Sequence, residues 1–236
     1  MIWINGKEFF MDVLKRMQTL ALFQGVPAEK LKALAERALY RTYKAGEMFI
    51  GETDPAHAFY VIITGQVKLY KSSPEGREQT LNLLGPGDPF GMCTAFAIES
   101  FPANAMALEE SGILLIPGPV MEAIAMKEPR LLVNIIQILS DRLRESMTLI
   151  ESLSLKEIPQ RLASFLIHAL TREGGQGMNQ LELTVTQREL AKILGATPEA
   201  LSRGIRKMSN AGVLAVDGRS IRILDRKALG ELAEGD

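Results

Sequence analysis

Glu199, Ser202, Arg203 and Arg206 recur at i, i+3, i+4 and i+7, a spacing that puts all four on one face of a helix. These residue types can read nucleic acid. An arginine fork matches the O6 and N7 acceptors of guanine, a carboxylate accepts from N4 of cytosine, and a serine hydroxyl can donate or accept. Leu201, Ile205 and Met208 fall on a second stripe, so the segment has one face to pack and another to present. A solvated αα-hairpin would explain the charges taken alone, but not the signals around them.

Those signals define two short helices. Thr197 suits the N-cap and Pro198 the first helical position, where a missing N–H costs nothing. Upstream, Thr186-Gln187-Arg188-Glu189 has the spacing of a capping box, and the helix it opens buries Leu190, Ile193 and Leu194 before Gly195 ends it. The Gly195-Ala196-Thr197 turn joins the pair into a helix-turn-helix, whose second helix would enter the major groove. Downstream, "GVLAVDGRSIRIL" alternates on both sides of Asp217-Gly218, a two-residue hairpin signal that adds a wing with Arg219 at its tip, in reach of phosphate. The expected DNA contacts are Thr186, Gln187, Arg188, Thr197, Glu199, Ser202, Arg203, Arg206 and Arg219.

The chain has 236 residues, 47% hydrophobic and 23% charged, an ordinary globular composition with room for one large domain or two smaller ones. Its net charge of −1 excludes a general basic coat, so any attraction for phosphate must be local. Residues 156–236 carry 12 Lys and Arg against 10 Asp and Glu, whereas residues 1–155 carry 15 against 18. Between Thr186 and Asn210 five basic residues (Arg188, Lys192, Arg203, Arg206, Lys207) face two acidic ones. A single cysteine, Cys93, excludes an intramolecular disulfide and any all-cysteine metal or iron–sulfur site. The apolar runs "AFYVII" and "GILLIP" are too short to span a bilayer and no secretory signal is visible, so a cytoplasmic protein without a membrane partner is expected.

The rest of the chain reads as the frame for that unit. Residues 1–19 form an N-terminal helical extension. Residues 20–118 change to short alternating runs broken by glycine, including "GEMFI", "AFYVIITGQVKLYK", "REQTLNLLGPGDPFG" and "NAMALEESGILLIP", which predict a β-roll or jelly roll. Residues 119–153 become helical, with Leu132, Ile135, Ile136, Leu139, Leu143, Met147 and Ile150 at a period of about 3.5 and on a stripe too wide for one seam. One surface is expected to lie on the roll and the other to meet a second copy. "LSLKEIP" then reads as a hinge into residues 154–236, the winged helix-turn-helix. The fold class is α+β.

In this order the elements resemble the Crp/Fnr family of bacterial transcription regulators over nearly the whole chain. The residues that carry the resemblance are "KAGEMFIGETDPAHAFYVIITGQVKLYKSSPEGREQTLNLLGPGDPFG", "IESLSLKEIPQRLASFL" and "TQRELAKILGATPEALSR". The resemblance implies a cyclic-nucleotide-binding-like roll and a homodimer on palindromic double-stranded DNA, with RNA polymerase as a partner if the protein activates. The Glu-x-x-Ser-Arg motif of the Fnr-like branch is here Glu199-Ala200-Leu201-Ser202-Arg203, which implies a TTGA-type half-site paired with TCAA and Arg203 on the guanine.

The same resemblance bears on the effector. Cyclic-nucleotide-binding relatives carry Phe-x-Gly-Glu and a later Arg-Ser or Arg-Thr pair. This chain has "FGMCTAF" and "FPANAMA", with Met92 in place of the Glu and Pro102 or Ala103 in place of the Arg, so the strongest phosphate contact is lost and cyclic AMP is not expected. "DPAHAFYVI" and "IESLSLK" are similar to the Dnr-like or HcpR-like branch that responds to nitric oxide, which implies haem, with His57, Met92, Cys93 and Met106 as the candidate effector-pocket residues. Each also has a packing or loop-stabilising reading, and His168 reads as a packing residue. Two other readings keep DNA binding, with an organic effector or with a silent roll. A metal-dependent jelly-roll enzyme would need a histidine and carboxylate cluster, which two histidines in different predicted domains do not supply.

Overall fold

The apolar run of Ala58–Thr64 (β3) is continuous because the strand is buried on both faces. Phe59, Val61 and Ile63 point into one core, Tyr60 and Ile62 into another. In the computed structural model, which describes residues 6–55, 58–92, 100–174 and 179–235, β3 belongs to one of two four-stranded sheets that make a roll. Its sheet has the order β1-β8-β3-β6, with β1 at Leu39–Tyr43, β6 at Pro89–Phe90 and β8 at Ser111–Pro117. The other has the order β2-β7-β4-β5, with β2 at Met48–Ile50, β4 at Val67–Ser72, β5 at Glu78–Leu84 and β7 at Asn104–Ala107.

Between the sheets lies an aromatic core. Tyr43, Phe49, Phe90, Tyr60 and Phe101 touch in sequence, with ring centroids 4.3 to 6.3 Å apart, and Val67, Leu84, Ala105 and Ala107 close it from the second sheet. Gly65 makes the β3–β4 turn possible: its φ is 85° and an added Cβ would stand 2.3 Å from Ser111 Oγ.

On the outer face of the β1-β8-β3-β6 sheet sit α1 (Gly6–Thr19), α2 (Ala28–Ala35), α3 (Gly118–Ala125) and the start of the long helix α4 (Pro129–Leu155). Met17, Leu34, Met121, Leu131 and Ile135 pack there against Phe59, Val61, Leu114 and Ile116. Buried Asn134 on α4 donates to the carbonyls of Leu22 and Gln24 at 2.8 and 3.0 Å, which satisfies its amide and fixes the loop before α2.

The seven apolar residues expected at a dimer seam are sorted by the fold. Ile135 is only 4% exposed and Leu132 is half-buried against the same core, so these two face the roll and leave the stripe. Ile136, Leu139, Leu143, Met147 and Ile150 stand exposed, Leu143 at 64%, together with Val133.

Contacts divide the chain into two compact units, 1–71 with 81–144 and 72–80 with 145–236, and α4 runs through both. The second contains α5 (Ile158–Gly174), β9 (Gln180–Glu182), α6 (Gln187–Ile193), α7 (Pro198–Asn210), β10 (Leu214–Asp217), β11 (Ser220–Ile223) and α8 (Arg226–Glu234). Its sheet has the order β10-β11-β9. Strands β1 and β9 have no counterpart among the predicted ones, because one is largely exposed and the other is three residues long. The wing turn also sits one residue later than the Asp217-Gly218 signal. Asp217 pairs with Ser220, leaving Gly218-Arg219 as the loop, with Gly218 at φ 60° in the first central position that a type II′ turn gives to glycine.

Candidate nucleic-acid interface

Two threonine caps set the geometry. Thr186 Oγ1 accepts from the Glu189 N–H and starts α6; Thr197 Oγ1 accepts from the Ala200 N–H and starts α7, each at 3.2 Å. Between them Leu194 closes α6, Gly195 takes a left-handed φ of 60°, and the Ala196 N–H returns to the Ala191 carbonyl at 2.9 Å.

On α7, Leu201, Gly204 and Met208 are buried and Ile205 is half-buried. Gly204 lies on that stripe next to α5, where an added Cβ would meet Ile158 Cγ2 at 3.4 Å, an ordinary van der Waals contact. The opposite face exposes Glu199, Ser202, Arg203, Arg206 and Lys207. Thr186, Gln187 and Arg188 are exposed at the start of α6, Thr197 at the start of α7 and Arg219 at the wing tip. The wing is tied down by the Leu183 N–H, which donates to the Arg219 carbonyl at 2.9 Å. An open cleft of about 530 Å³ separates the start of α5, at Ile158 and Pro159, from Arg203, Gly204 and Lys207 on α7.

The electrostatics differ from the sequence count in one respect. Lys192 does not face outward: it is half-buried and bonded to Glu189 at 2.8 Å and Glu78 at 2.7 Å. Burial pulls its pKa down, but the hydrogen bonds to Glu189 and Glu78 outweigh that and hold it above the ordinary lysine value. The exposed positive charge near the reading face is thus Arg188, Arg203, Arg206, Lys207 and Arg219. Glu199 is held below the ordinary carboxylate value by its own backbone N–H, by the Thr197 hydroxyl and by nearby Arg203, so it is an acceptor at neutral pH. Lys207, counted among the basic residues of the segment but not among the expected DNA contacts, is exposed on the same helix as Arg203 and Arg206. The signal for Lys207 was available, four residues after Arg203 on the same helix.

The candidate effector residues do not gather in the same way. His57 and Cys93 lie outside the described residues. Met92 is buried in the helix-facing core, while Met106, on β7 opposite Met48 and Lys68, is half-buried and alternates with Ala105 and Ala107 of the aromatic core. Ala103 is buried and Pro102 exposed. His168, expected to pack, is exposed on α5, because the packing stripe there runs through Leu162, Ala163, Leu166 and Leu170. Among the described residues no group of three or more His, Cys, Asp and Glu is placed to hold a metal ion, and no helix is long and apolar enough to cross a membrane.

A roll, a long helix and a winged helix-turn-helix with its polar recognition face exposed define a DNA-binding transcription regulator. Comparison with known proteins narrows the class. Residues 40–128 match the cyclic nucleotide-binding domain and residues 160–232 the Crp-like helix-turn-helix domain. The fumarate and nitrate reduction regulatory protein of Vibrio cholerae is 30% identical over 87% of this chain and 82% of its own length. The CRP-like cAMP-activated global transcriptional regulator of Mycobacterium tuberculosis is 27% identical over 90% of this chain and 96% of that protein. The solved structure of FixK2 from Bradyrhizobium japonicum is similar with a TM-score of 0.73 and 26% identity, over 83% of this chain and 96% of its own. The chain belongs to the Crp/Fnr family of transcription regulators, DNA-binding proteins under effector control.

Proposed function

We propose that this regulator acts in the cytoplasm as a homodimer, paired through the exposed stripe of α4, and reads a palindrome of TTGA-type half-sites with Arg203 on the guanine and Glu199 and Ser202 beside it. The observation that carries the reading is the division of α7, whose packing stripe is buried while Glu199, Ser202, Arg203 and Arg206 all remain exposed. Thr186, Gln187, Arg188, Thr197 and Arg219 hold the backbone around that contact, and RNA polymerase is the partner where binding activates. Selection of bound sites from a random DNA pool tests it. Paired TTGA and TCAA sequences, with centres about one helical turn or ~34 Å apart, are expected; recovery of unpaired or unrelated sites would overturn the assignment.

The roll is the sensing unit, and we read its effector as something other than a cyclic nucleotide, although one relative is named as cAMP-activated. Met92 and Ala103 are both buried apolar residues, where a cyclic nucleotide would need a carboxylate for its ribose and a guanidinium for its phosphate. Haem responding to nitric oxide is the effector supported by the sequence resemblance, with His57, Met92, Cys93 and Met106 as its candidate contacts. Met92 and Met106 do not fit as a ligand pair, since Met92 is buried in the helix-facing core whereas Met106 alternates with the aromatic-core residues Ala105 and Ala107 and belongs to neither core. Haem titration followed by visible absorption, with and without nitric oxide, decides the point: a saturable band that shifts with nitric oxide supports haem, and unsaturable binding removes it in favour of an organic ligand.

A further inference from the structure

Arg161, in the first turn of α5, gives its guanidinium to three backbone carbonyls from three different places. Its Nε donates to the Lys156 carbonyl in the hinge at 2.8 Å, Nη2 to the Leu153 carbonyl near the end of α4 at 2.9 Å, and Nη1 to the Leu194 carbonyl at the end of α6 at 3.0 Å. Carbonyls at a helix C-terminus lack intrahelical partners and carry partial negative charge. A planar cation with donors at fixed angles can bind several of them at once, where a lysine offers one point.

A second contact joins the same two places. Gly195, in the turn of the helix-turn-helix, lies so close to α4 that an added Cβ would stand 2.5 Å from Leu153 Cδ2. The covalent link from α4 to α5 is only Lys156-Glu157, between Leu155 and Ile158. The register between the end of the long helix and the turn before the recognition helix is therefore held by Arg161 and by the packing of Leu153 on Gly195.

We infer that Arg161 is a positioning residue that fixes the recognition helix relative to the end of α4, and so sets the half-site spacing the dimer accepts. The inference rests on the dimeric, palindrome-reading function proposed above. If two α4 helices pair, each recognition helix is placed from the dimer axis through this joint, and a looser joint admits more spacings. Arg161 is not on the exposed face of α7, so its loss changes tolerance to spacing and leaves base preference alone.

The test compares full-length wild type and Arg161→Gln on the palindrome, on the same half-sites with one or two base pairs added between them, and on a single half-site. Wild type is expected to lose about tenfold or more on the respaced palindromes, because two tethered modules gain nothing when geometry forbids joint engagement. Arg161→Gln is expected to lose less than about threefold there, with single half-site affinity within about twofold of wild type. Arg161→Lys should fall between the two, and it carries the test should the glutamine variant fail to fold. A respacing penalty unchanged in the variants, or an equal loss on every DNA including the single half-site, overturns the role of Arg161. Wild type that shows no preference for the palindrome overturns the dimeric reading beneath it instead.

Discussion

The reading face and the sensing roll are built in opposite ways. The polar residues of the reading face come from one run, Thr197 to Lys207, and their side chains share a face because a helix repeats every 3.6 residues. The candidate effector residues are numbered 57, 92, 93 and 106, and the two that are described do not share a core: Met92 is buried under the helices, while Met106 is half-buried on the strand face away from the aromatic core. A surface that meets a long, regular partner can be written into a single helix. A cavity for a small ligand must be assembled from several strands and loops, and nothing in local spacing announces it.

The comparison predicts that damage to the roll costs stability and damage to α7 costs recognition. Phe59, fully buried under the helices, gives the largest effect: Phe59→Ala should cost about 3–5 kcal/mol in denaturant unfolding, and a loss of a few tenths would mean the helix-facing core is not holding the roll. Next comes the exposed stripe of α4. Leu143→Glu with Met147→Glu should leave the chain folded, make it monomeric in sedimentation, and reduce affinity for the palindrome about a hundredfold without changing that for a single half-site. An unchanged mass would place the dimer contact elsewhere.

Smaller effects sharpen the picture within the DNA-binding unit. Thr197→Ala removes the cap of α7 and should cost about 1 kcal/mol of stability, weakening all DNA sequences alike; a change in base preference would show that Thr197 reads a base. Arg219→Ala should lower the slope of log affinity against log salt by about 1 and leave base preference intact. The least visible is a pH effect. The Glu199 pKa lies below its ordinary value, so its contribution is complete above the ordinary carboxylate range and disappears as pH falls through the lowered folded value. Base preference at the cytosine should therefore stay flat from neutral pH down to that range, as competition binding across pH would show.

What the sequence made legible follows the same division. Thr186, Thr197 and Gly195 mark the helix-turn-helix because caps and left-handed turns have strong residue preferences, and β3 stands out because burial on both faces leaves an unbroken apolar run. β1 was not legible, since as the edge strand of its sheet it leaves most of its residues exposed and shows no alternation. Arg161 was not legible either, because its partners are carbonyls, which every residue has. Lys192 looked like part of a basic surface until Glu78, 114 positions away, was seen to bind it. The split of the α4 stripe, with Ile135 inward and Ile136 outward, needed the position of the roll rather than the period of the helix.

The proposed recognition turns on Arg203 reading a specific base from the exposed face of α7. A double-mutant cycle tests it directly, pairing wild type and Arg203→Ala with a palindrome whose guanine is intact or replaced in both half-sites. Replacing the guanine is expected to cost wild type about 1–3 kcal/mol per contact and to cost Arg203→Ala almost nothing. Equal penalties for the two proteins would mean that Arg203 does not contact that base, and the reading of the face would have to be abandoned.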